Sequence, residues 1–165
     1  MKADGKKIFV VSGYNDSVVD CVISTYEAYK EQPSQLVDDI RCEDYETQCR
    51  AVFGYLLENV VYREDPDGVQ LVKTPARLIY DGVGDCKSMS IFIGACLHCL
   101  GIPFVFRFVG FSPRKIYNHV YIVANPNTNK EIILDAVERI NGEPVFDYAR
   151  QLDRKSTRLN SSHIH

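Results

Sequence analysis

The first half of the chain carries apolar positions that recur with the period of an α-helix. The stretch NDSVVDCVISTYEAYKEQ has apolar side chains at every third or fourth position, which predicts a helix that Pro33 ends. In TPARLIYDG, Thr74 can cap a short helix and Pro75 fits its first position. A stronger helix is predicted for CEDYETQCRAVFGYLLENVVY, where one face holds Tyr45, Cys49, Val52, Phe53, Leu56, Leu57 and Val60.

The second half changes to a pattern that is typical of β-strands. The runs FVFRFVGF, HVYIVAN and EIILDAV are rich in β-branched and aromatic residues, and the turn-forming stretches SPRK and NPNTNK separate them. The stretch NGEPVFDYARQL can add one more strand, and KKIFVVSG near the start predicts a short one. Helices followed by strands predict an α+β fold, in which the helices pack on a C-terminal antiparallel sheet.

Between these halves lies DGVGDCKSMSIFIGACLHCLG, which predicts a helix that begins at Cys86. Asp85 can act as the N-cap, and Gly82 and Gly84 permit a sharp turn before it. A thiol in the first turn lies beside free backbone N–H groups and the positive end of the helix dipole, and both favour the nucleophilic thiolate. The same N–H groups can stabilise an oxyanion.

The other cysteines are better explained by packing. Cys96 falls on the apolar face of the same helix, and Cys99 lies near its end, which Gly101 marks. Cys96, His98 and Cys99 leave open a zinc or redox site, although a second ligand pair is missing. For the remaining cysteines the core is the favoured location: Cys21, Cys42 and Cys49.

A nucleophilic thiol needs a base, and the base needs a group that orients it. His119 opens the strand HVYIVAN, and Asp135 closes the strand EIILDAV, 16 residues later. A hairpin through NPNTNK would bring the two side chains together. Each residue alone is usually a surface, turn or capping residue, so the hypothesis rests on Cys86, His119 and Asp135 taken together.

Length, composition and charge narrow the class of protein. The chain has 165 residues, and its 45% hydrophobic and 25% charged residues are ordinary for a globular domain. Residues 1–152 are predicted to form one domain. Residues 153–165 carry no apolar period and are predicted to be a disordered or non-native tail, which removes His163 and His165 as candidate bases.

The net charge of -3 does not favour a nucleic acid or an anionic membrane as partner. No apolar run is long enough to span a bilayer, and IFVV is too short for a signal peptide. We therefore expect a cytoplasmic protein whose six cysteines remain thiols.

Together the motifs GDCKSMS, LGIP, NHVYIV and ILDA resemble the transglutaminase-like superfamily, which has the papain-like cysteine-enzyme fold. The lead-in YLLENVVYREDPDGVQLVKTPARLI resembles the segment that precedes the cysteine in small bacterial and phage-type members. The resemblance covers about residues 45–137. It implies that Cys86 is the nucleophile, that His119 is the base and acid, and that Asp135 orients the imidazole. It also implies that the helix carrying Cys86 packs against an antiparallel sheet.

The chain departs from this family at several positions. Many members have an aromatic residue directly after the histidine and a proline after the aspartate, where this chain has Val120 and Ala136. Related enzymes often pair an upstream side-chain donor with the cysteine N–H to stabilise the oxyanion. Gln70, which precedes Cys86 in a loop, is the candidate side-chain donor, and it would act together with the Cys86 N–H. Asn118 is a weaker candidate for the same role. Gln70 can equally well be a solvated polar residue of the loop.

The predicted triad supports acyl transfer through a thioester. Hydrolysis of a peptide or isopeptide bond in a peptide or protein substrate is favoured, without metal or other cofactor, because the sequence has no obvious carboxylate cluster for calcium. Transfer to an amine, including protein glutamine chemistry, is an alternative that the triad does not separate from hydrolysis. A second alternative is a catalytically idle papain-like module that binds or has a structural role in a phage or bacterial assembly.

Overall fold

A computed structural model of the protein describes residues 6–11, 15–66, 68–110, 119–140, 143–148 and 157–160. Its helices are α1 (Asn15–Tyr29), α2 (Ser34–Asp38), α3 (Tyr45–Asn59), α4 (Pro75–Asp81) and α5 (Cys86–Leu100). Its strands are β1 (Ile8–Val11), β2 (Val61–Tyr62), β3 (Gln70–Lys73), β4 (Val83–Gly84), β5 (Phe104–Gly110), β6 (His119–Ala124), β7 (Ile132–Ile140), β8 (Glu143–Tyr148) and β9 (Thr157–Asn160).

The main sheet is antiparallel and has the strand order β8-β7-β6-β5-β9. Neighbours along the chain pair as hairpins, and β5 lies against β6 from Phe104↔Ala124 to Val109↔His119. The predicted α+β arrangement and its strands are therefore confirmed. None of the helices in the described part of the chain is long and apolar enough to cross a membrane.

Helix α5 is the centre of the core. It is buried along most of its length and packs against α1, α3 and α4 on one side and against the sheet on the other. Gly94 permits this close packing, because a Cβ at that position would lie 3.0 Å from the Phe104 ring and 3.1 Å from the Phe106 ring. Tyr26 of α1 makes edge-on contacts with both of these rings.

Several local predictions for the helical half are wrong. Leu57 of α3 is 39% exposed, while Gln48 is buried and accepts a hydrogen bond from the backbone N of Cys42 at 3.3 Å. Helix α3 thus buries the amide of Gln48 because it satisfies a backbone donor there. Cys42 is exposed and not in the core, whereas Cys49 is buried as predicted and Cys21 is half-buried.

Two small sheets were not predicted from the sequence. Strand β1 pairs with β3 in the antiparallel sense, and β2 pairs with β4 in the parallel sense. Strand β9 pairs with β5 in a part of the chain that has no apolar period. The division of the chain at residue 152 stays a prediction.

Candidate active site

The loop before α5 is shaped to present Cys86 at the helix N-terminus. Gly82 ends α4 in the left-handed conformation with φ +68°, and a Cβ on Gly84 would overlap the Leu78 side chain. Asp85 then caps α5 as predicted, because its Oδ1 accepts hydrogen bonds from the backbone N–H groups of Lys87 at 3.1 Å and Ser88 at 3.5 Å. Cys86 is the first residue of the helix and is half-buried.

His119 and Asp135 meet on adjacent strands of the main sheet. The Nε2 atom of His119 lies 2.5 Å from Oδ2 of Asp135, and both side chains are buried. The other carboxylate oxygen, Oδ1, accepts a hydrogen bond from the backbone N–H of Val137 at 3.1 Å. The Asp135 carboxylate is therefore held at both oxygens, which fixes the plane of the imidazole.

The prediction that Asp135 closes its strand is wrong. Strand β7 continues to Ile140, and its pairing with β8 shifts register between Asp135 and Arg139. A bulge of this kind redirects neighbouring side chains and is common beside active sites. The residue that was predicted to end the strand is therefore the one at which the pairing of β7 with β8 becomes irregular.

The imidazole of His119 also makes a side-chain hydrogen bond with Cys86. Since Nε2 faces Asp135, Nδ1 is the ring nitrogen left for the thiol. Burial disfavours the imidazolium, but the hydrogen bonds and charges of Asp135 and Cys86 outweigh it and raise the pKa of His119 to about 10. The structure therefore brings the three predicted residues together, with the imidazole protonated at neutral pH.

The structure describes one of the two predicted oxyanion side chains, that of Gln70. Gln70 begins β3, opposite Val11, and is half-buried, so the loop position assigned to it is wrong. The neighbouring Leu71 N–H donates to Oδ2 of Asp65 at 2.8 Å. Asn118 lies outside the described residues. A role for Gln70 in oxyanion stabilisation stays a prediction.

A buried ionic cluster beside Cys86 was missed in the sequence. The Lys87 ammonium forms ion pairs with Asp65, at 3.1 Å, and with Asp85. Lys87 directly follows the nucleophile candidate, but its distant partner, Asp65, could not be found from local sequence patterns. The only local signal is the placement of opposite charges at positions 85 and 87.

The C-terminal end of α5 is separate from this site. Cys96 is buried in the core, and the Cys99 thiol donates to the backbone carbonyl of Lys30 at 3.2 Å. His98 lies 2.5 Å from Glu31, through Nε2 and Oε1. Within the described ranges, no group of three or more His, Cys, Asp or Glu side chains is arranged to hold a metal ion.

Comparison with known proteins identifies similar solved structures. A candidate protease from Parabacteroides distasonis is 11% identical, with a TM-score of 0.60, and the match covers 88% of this chain and 29% of that one. Calcium-bound LapG from Legionella pneumophila is 19% identical, with a TM-score of 0.53 and coverage of 79% and 76%. A candidate cysteine protease from Cytophaga hutchinsonii is 16% identical, with a TM-score of 0.51, and the match covers 88% of this chain and 54% of that one.

These likenesses show a shared fold. The predicted papain-like, transglutaminase-like α+β fold is therefore confirmed. The chain spans less than a third of the Parabacteroides protein and about half of the Cytophaga protein. No family model and no curated protein matches the sequence.

One of the LapG structures is calcium-bound. In this chain, the carboxylates of Asp65 and Asp85 both lie against the Lys87 ammonium. A fixed positive charge in that position repels a divalent cation. A divalent cation bound to these two carboxylates would therefore lie against the Lys87 ammonium.

Proposed function

We propose that the protein is a cysteine peptidase or amidase that cleaves a peptide or isopeptide bond through a thioester on Cys86. The proposal rests mainly on one observation, the hydrogen-bonded series from Cys86 through His119 to Asp135. Each member alone has an ordinary structural explanation. Their contact at the N-terminus of a buried helix gives a thiol, a proton carrier and an orienting carboxylate in order.

In the first half of the proposed reaction, the Cys86 thiolate attacks the substrate carbonyl carbon and forms a C–S bond. The negative charge on the carbonyl oxygen is stabilised by the Cys86 N–H and the positive end of α5. The His119 imidazolium donates its proton to the amine as the C–N bond breaks. A thioester and a neutral imidazole remain.

In the second half, the neutral His119 accepts a proton from water, and the resulting hydroxide attacks the thioester carbon. The C–S bond breaks, the acid leaves, and Cys86 returns as a thiolate beside an imidazolium. Asp135 keeps Nε2 protonated in both halves, so that Nδ1 carries the transferred proton. The raised pKa of His119, about 10, keeps the imidazolium present at neutral pH as the proton donor of the first half.

A peptide is the favoured substrate class. The solved structures with this fold include candidate proteases, one of them a candidate cysteine protease. Strand β2 supports the same choice, since it pairs with β4 directly before Asp85, and Val61 on β2 is 69% exposed. An extended peptide can lie along such an exposed strand with its backbone next to Cys86.

The first test is the selective alkylation of cysteines at pH 7. Iodoacetamide is added to the folded protein, and peptide mapping by mass spectrometry gives a rate for each thiol. We expect Cys86 to react at least about 10-fold faster than Cys99, which is also half-buried but donates to a carbonyl. Equal rates would contradict the enzyme and favour an idle module.

The second test identifies the acyl acceptor. The protein is incubated with a peptide library, and the products are compared with those of Cys86→Ser. New free carboxyl ends indicate hydrolysis, whereas new amides formed with added methylamine indicate transfer. Hydroxylamine should convert part of the product to a hydroxamate in either case, because it attacks the thioester.

A further inference from the structure

The Lys87 side chain is buried next to the candidate nucleophile, although burying a charge is costly. Its side chain is 8% exposed, and those of its partners Asp65 and Asp85 are 11% and 8% exposed. A buried ammonium is tolerated only when carboxylates and hydrogen bonds compensate for lost hydration. Hydrophobic residues would fill this space at lower cost, so a role beyond packing is worth testing.

The ammonium joins segments that together frame Cys86. Asp85 is the N-cap of α5, and its Oδ1 also accepts the backbone N–H of Lys87. Asp65 lies in the loop after β2, and its Oδ2 accepts the N–H of Leu71 on β3. Through its two carboxylate partners, the Lys87 ammonium therefore ties the first turn of α5 to that loop and to β3.

We infer that Lys87 is a positioning residue, which holds the first turn of α5 in place and supplies a fixed positive charge beside the Cys86 thiolate. This inference rests on the proposed function, because it concerns the thiolate that attacks the substrate. It adds a second cation to the site, at the position that directly follows Cys86.

The charges around Lys87 explain how it acts. Asp65 and Asp85 contact it directly, Cys86 and His119 form the adjacent pair, and two weaker acids face the same region: Tyr62 of β2 and Cys21 of α1. Burial lowers the pKa of Lys87, but Asp85, Cys86 and Asp65 raise it by more. The pKa of Lys87 is therefore raised overall, and the ammonium persists. The attraction is mutual, and the ammonium favours the thiolate.

Removal of different charges from this cluster should have opposite effects. With Lys87→Gln, two carboxylates remain beside Cys86 without a cation, which disfavours the thiolate. With Asp65→Asn, the ammonium remains with one carboxylate fewer, which favours the thiolate. If both changes only damaged the fold, the pH at which Cys86 becomes reactive should shift in the same direction in both variants. Shifts in opposite directions therefore indicate an electrostatic role for Lys87.

Lys73 provides a matched control on the neighbouring strand β3. It is as buried as Lys87, forms an ion pair with Asp81 at 2.8 Å and donates to the carbonyl of Val83 at 2.7 Å. Lys73→Gln therefore also removes a buried ammonium close to α5. Its partners are in α4 and β4 and do not include Cys86.

The experiment measures the rate of Cys86 alkylation by iodoacetamide between pH 4 and 10 and the pH of half-maximal rate. We expect Lys87→Gln to raise that midpoint by roughly one unit, Asp65→Asn to lower it, and Lys87→Arg to restore it almost to the wild-type value. Lys73→Gln should leave it unchanged. Circular dichroism and thermal unfolding show which variants are folded at each pH.

The inference is overturned if Lys87→Gln and Asp65→Asn shift the midpoint in the same direction, or if Lys73→Gln shifts it as much as Lys87→Gln. If Lys87→Gln does not fold, Asp65→Asn is sufficient for the test. A midpoint that is unchanged or raised in Asp65→Asn then overturns the inference. Failure of the proposed function looks different, because Cys86 would then react no faster than Cys99 in the wild-type protein.

Discussion

The two ends of α5 carry similar residues in very different settings. At each end a cysteine lies near a histidine whose Nε2 is 2.5 Å from a carboxylate oxygen, Asp135 for His119 and Glu31 for His98. At the N-terminal end both partners of the ion pair are buried, with 8% and 5% exposure. At the C-terminal end Glu31 is 73% exposed.

The thiols differ even more than the histidines. Cys86 shares a hydrogen bond with His119, whereas Cys99 donates to the backbone carbonyl of Lys30. Burial and the nearby Glu31 raise the pKa of Cys99 to about 11, and the negative end of the helix dipole acts in the same direction. Composition alone does not make a nucleophile; burial, hydrogen-bond direction and position along the helix decide which thiol can react.

Cys86→Ala gives the largest predicted effect and tests this comparison directly. The variant lacks the only atom that the proposed mechanism bonds to the substrate, so peptide hydrolysis should fall to the background rate. Cys99→Ala, the matched change at the other end of the helix, should retain activity within about twofold. Product analysis by mass spectrometry after incubation with a peptide library measures both. Residual hydrolysis by Cys86→Ala above background would exclude the thioester route.

Asp135→Asn should lower kcat by about 10³-fold or more, because an amide in this place no longer fixes the imidazole tautomer or stabilises the imidazolium. Glu31→Gln makes the same chemical change at the other histidine. It should leave kcat nearly unchanged, since the His98 pair is exposed and lies at the far end of α5. Steady-state kinetics on one cleaved library peptide gives both values. Similar losses in the two variants would mean that they act through stability and not through His119.

Stability should depend on pH through the buried histidine. The pKa of His119 is raised from 6.5 to about 10, so the folded state binds the proton more tightly than the unfolded chain. Its stabilising contribution is therefore complete below pH 6.5 and is lost as the pH rises towards 10.

Urea unfolding at pH 6, 8 and 10 measures this dependence in the wild-type protein, in His119→Gln and in His98→Gln. The free energy of unfolding of the wild-type protein should exceed that of His119→Gln by an amount that shrinks from pH 6 to pH 10. His98→Gln is the control for the loss of an imidazole that pairs with an exposed carboxylate, since Glu31 is 73% exposed. A difference that grows with pH would mean that His119 is buried in its neutral form.

The features that local chemistry specifies could be predicted from the sequence. Thr74 caps α4 and Pro75 takes its first position, as Asp85 caps α5 and Gly101 ends it. Each of these depends on contacts within a few residues. The hairpin between β6 and β7 is also local, so the sequence predicts that His119 and Asp135 come together.

The features that were missed depend on distant partners. Strand β3 exists because β1, some 60 residues earlier, pairs with it, and the four residues QLVK carry too little pattern to reveal that. The buried charge of Lys87 depends on Asp65 in the same way. Leu57 was assigned to the buried face of α3, and Gln48 was not, because helical spacing ignores a distant hydrogen bond such as that to Cys42.

Gly94→Ala tests the packing between the two ends of α5. An added Cβ would lie 3.0–3.2 Å from the rings of Phe104 and Phe106, tighter than an ordinary contact, so the rings must shift by a few tenths of an ångström. We expect the free energy of unfolding to fall by about 1–3 kcal/mol. Gly54→Ala is the control, since nothing lies within 4 Å of its added Cβ. If Gly94→Ala is as stable as Gly54→Ala, the core around Phe104 is looser than the contacts indicate.

The smallest predicted effect is that of a metal chelator, which should change neither end of α5. At the N-terminal end, the Lys87 ammonium already lies against Asp65 and Asp85, so a divalent cation would meet a like charge. At the C-terminal end, Cys96 is fully buried, and Cys99 and His98 are held by the Lys30 carbonyl and Glu31. We therefore expect peptide hydrolysis and Tm to be the same with EDTA, with EGTA and with added calcium, and elemental analysis to find less than about 0.1 zinc per chain. Zinc near one per chain would support the metal site considered for Cys96, His98 and Cys99. Loss of hydrolysis in EGTA would show that the site needs a metal ion in spite of the Lys87 ammonium.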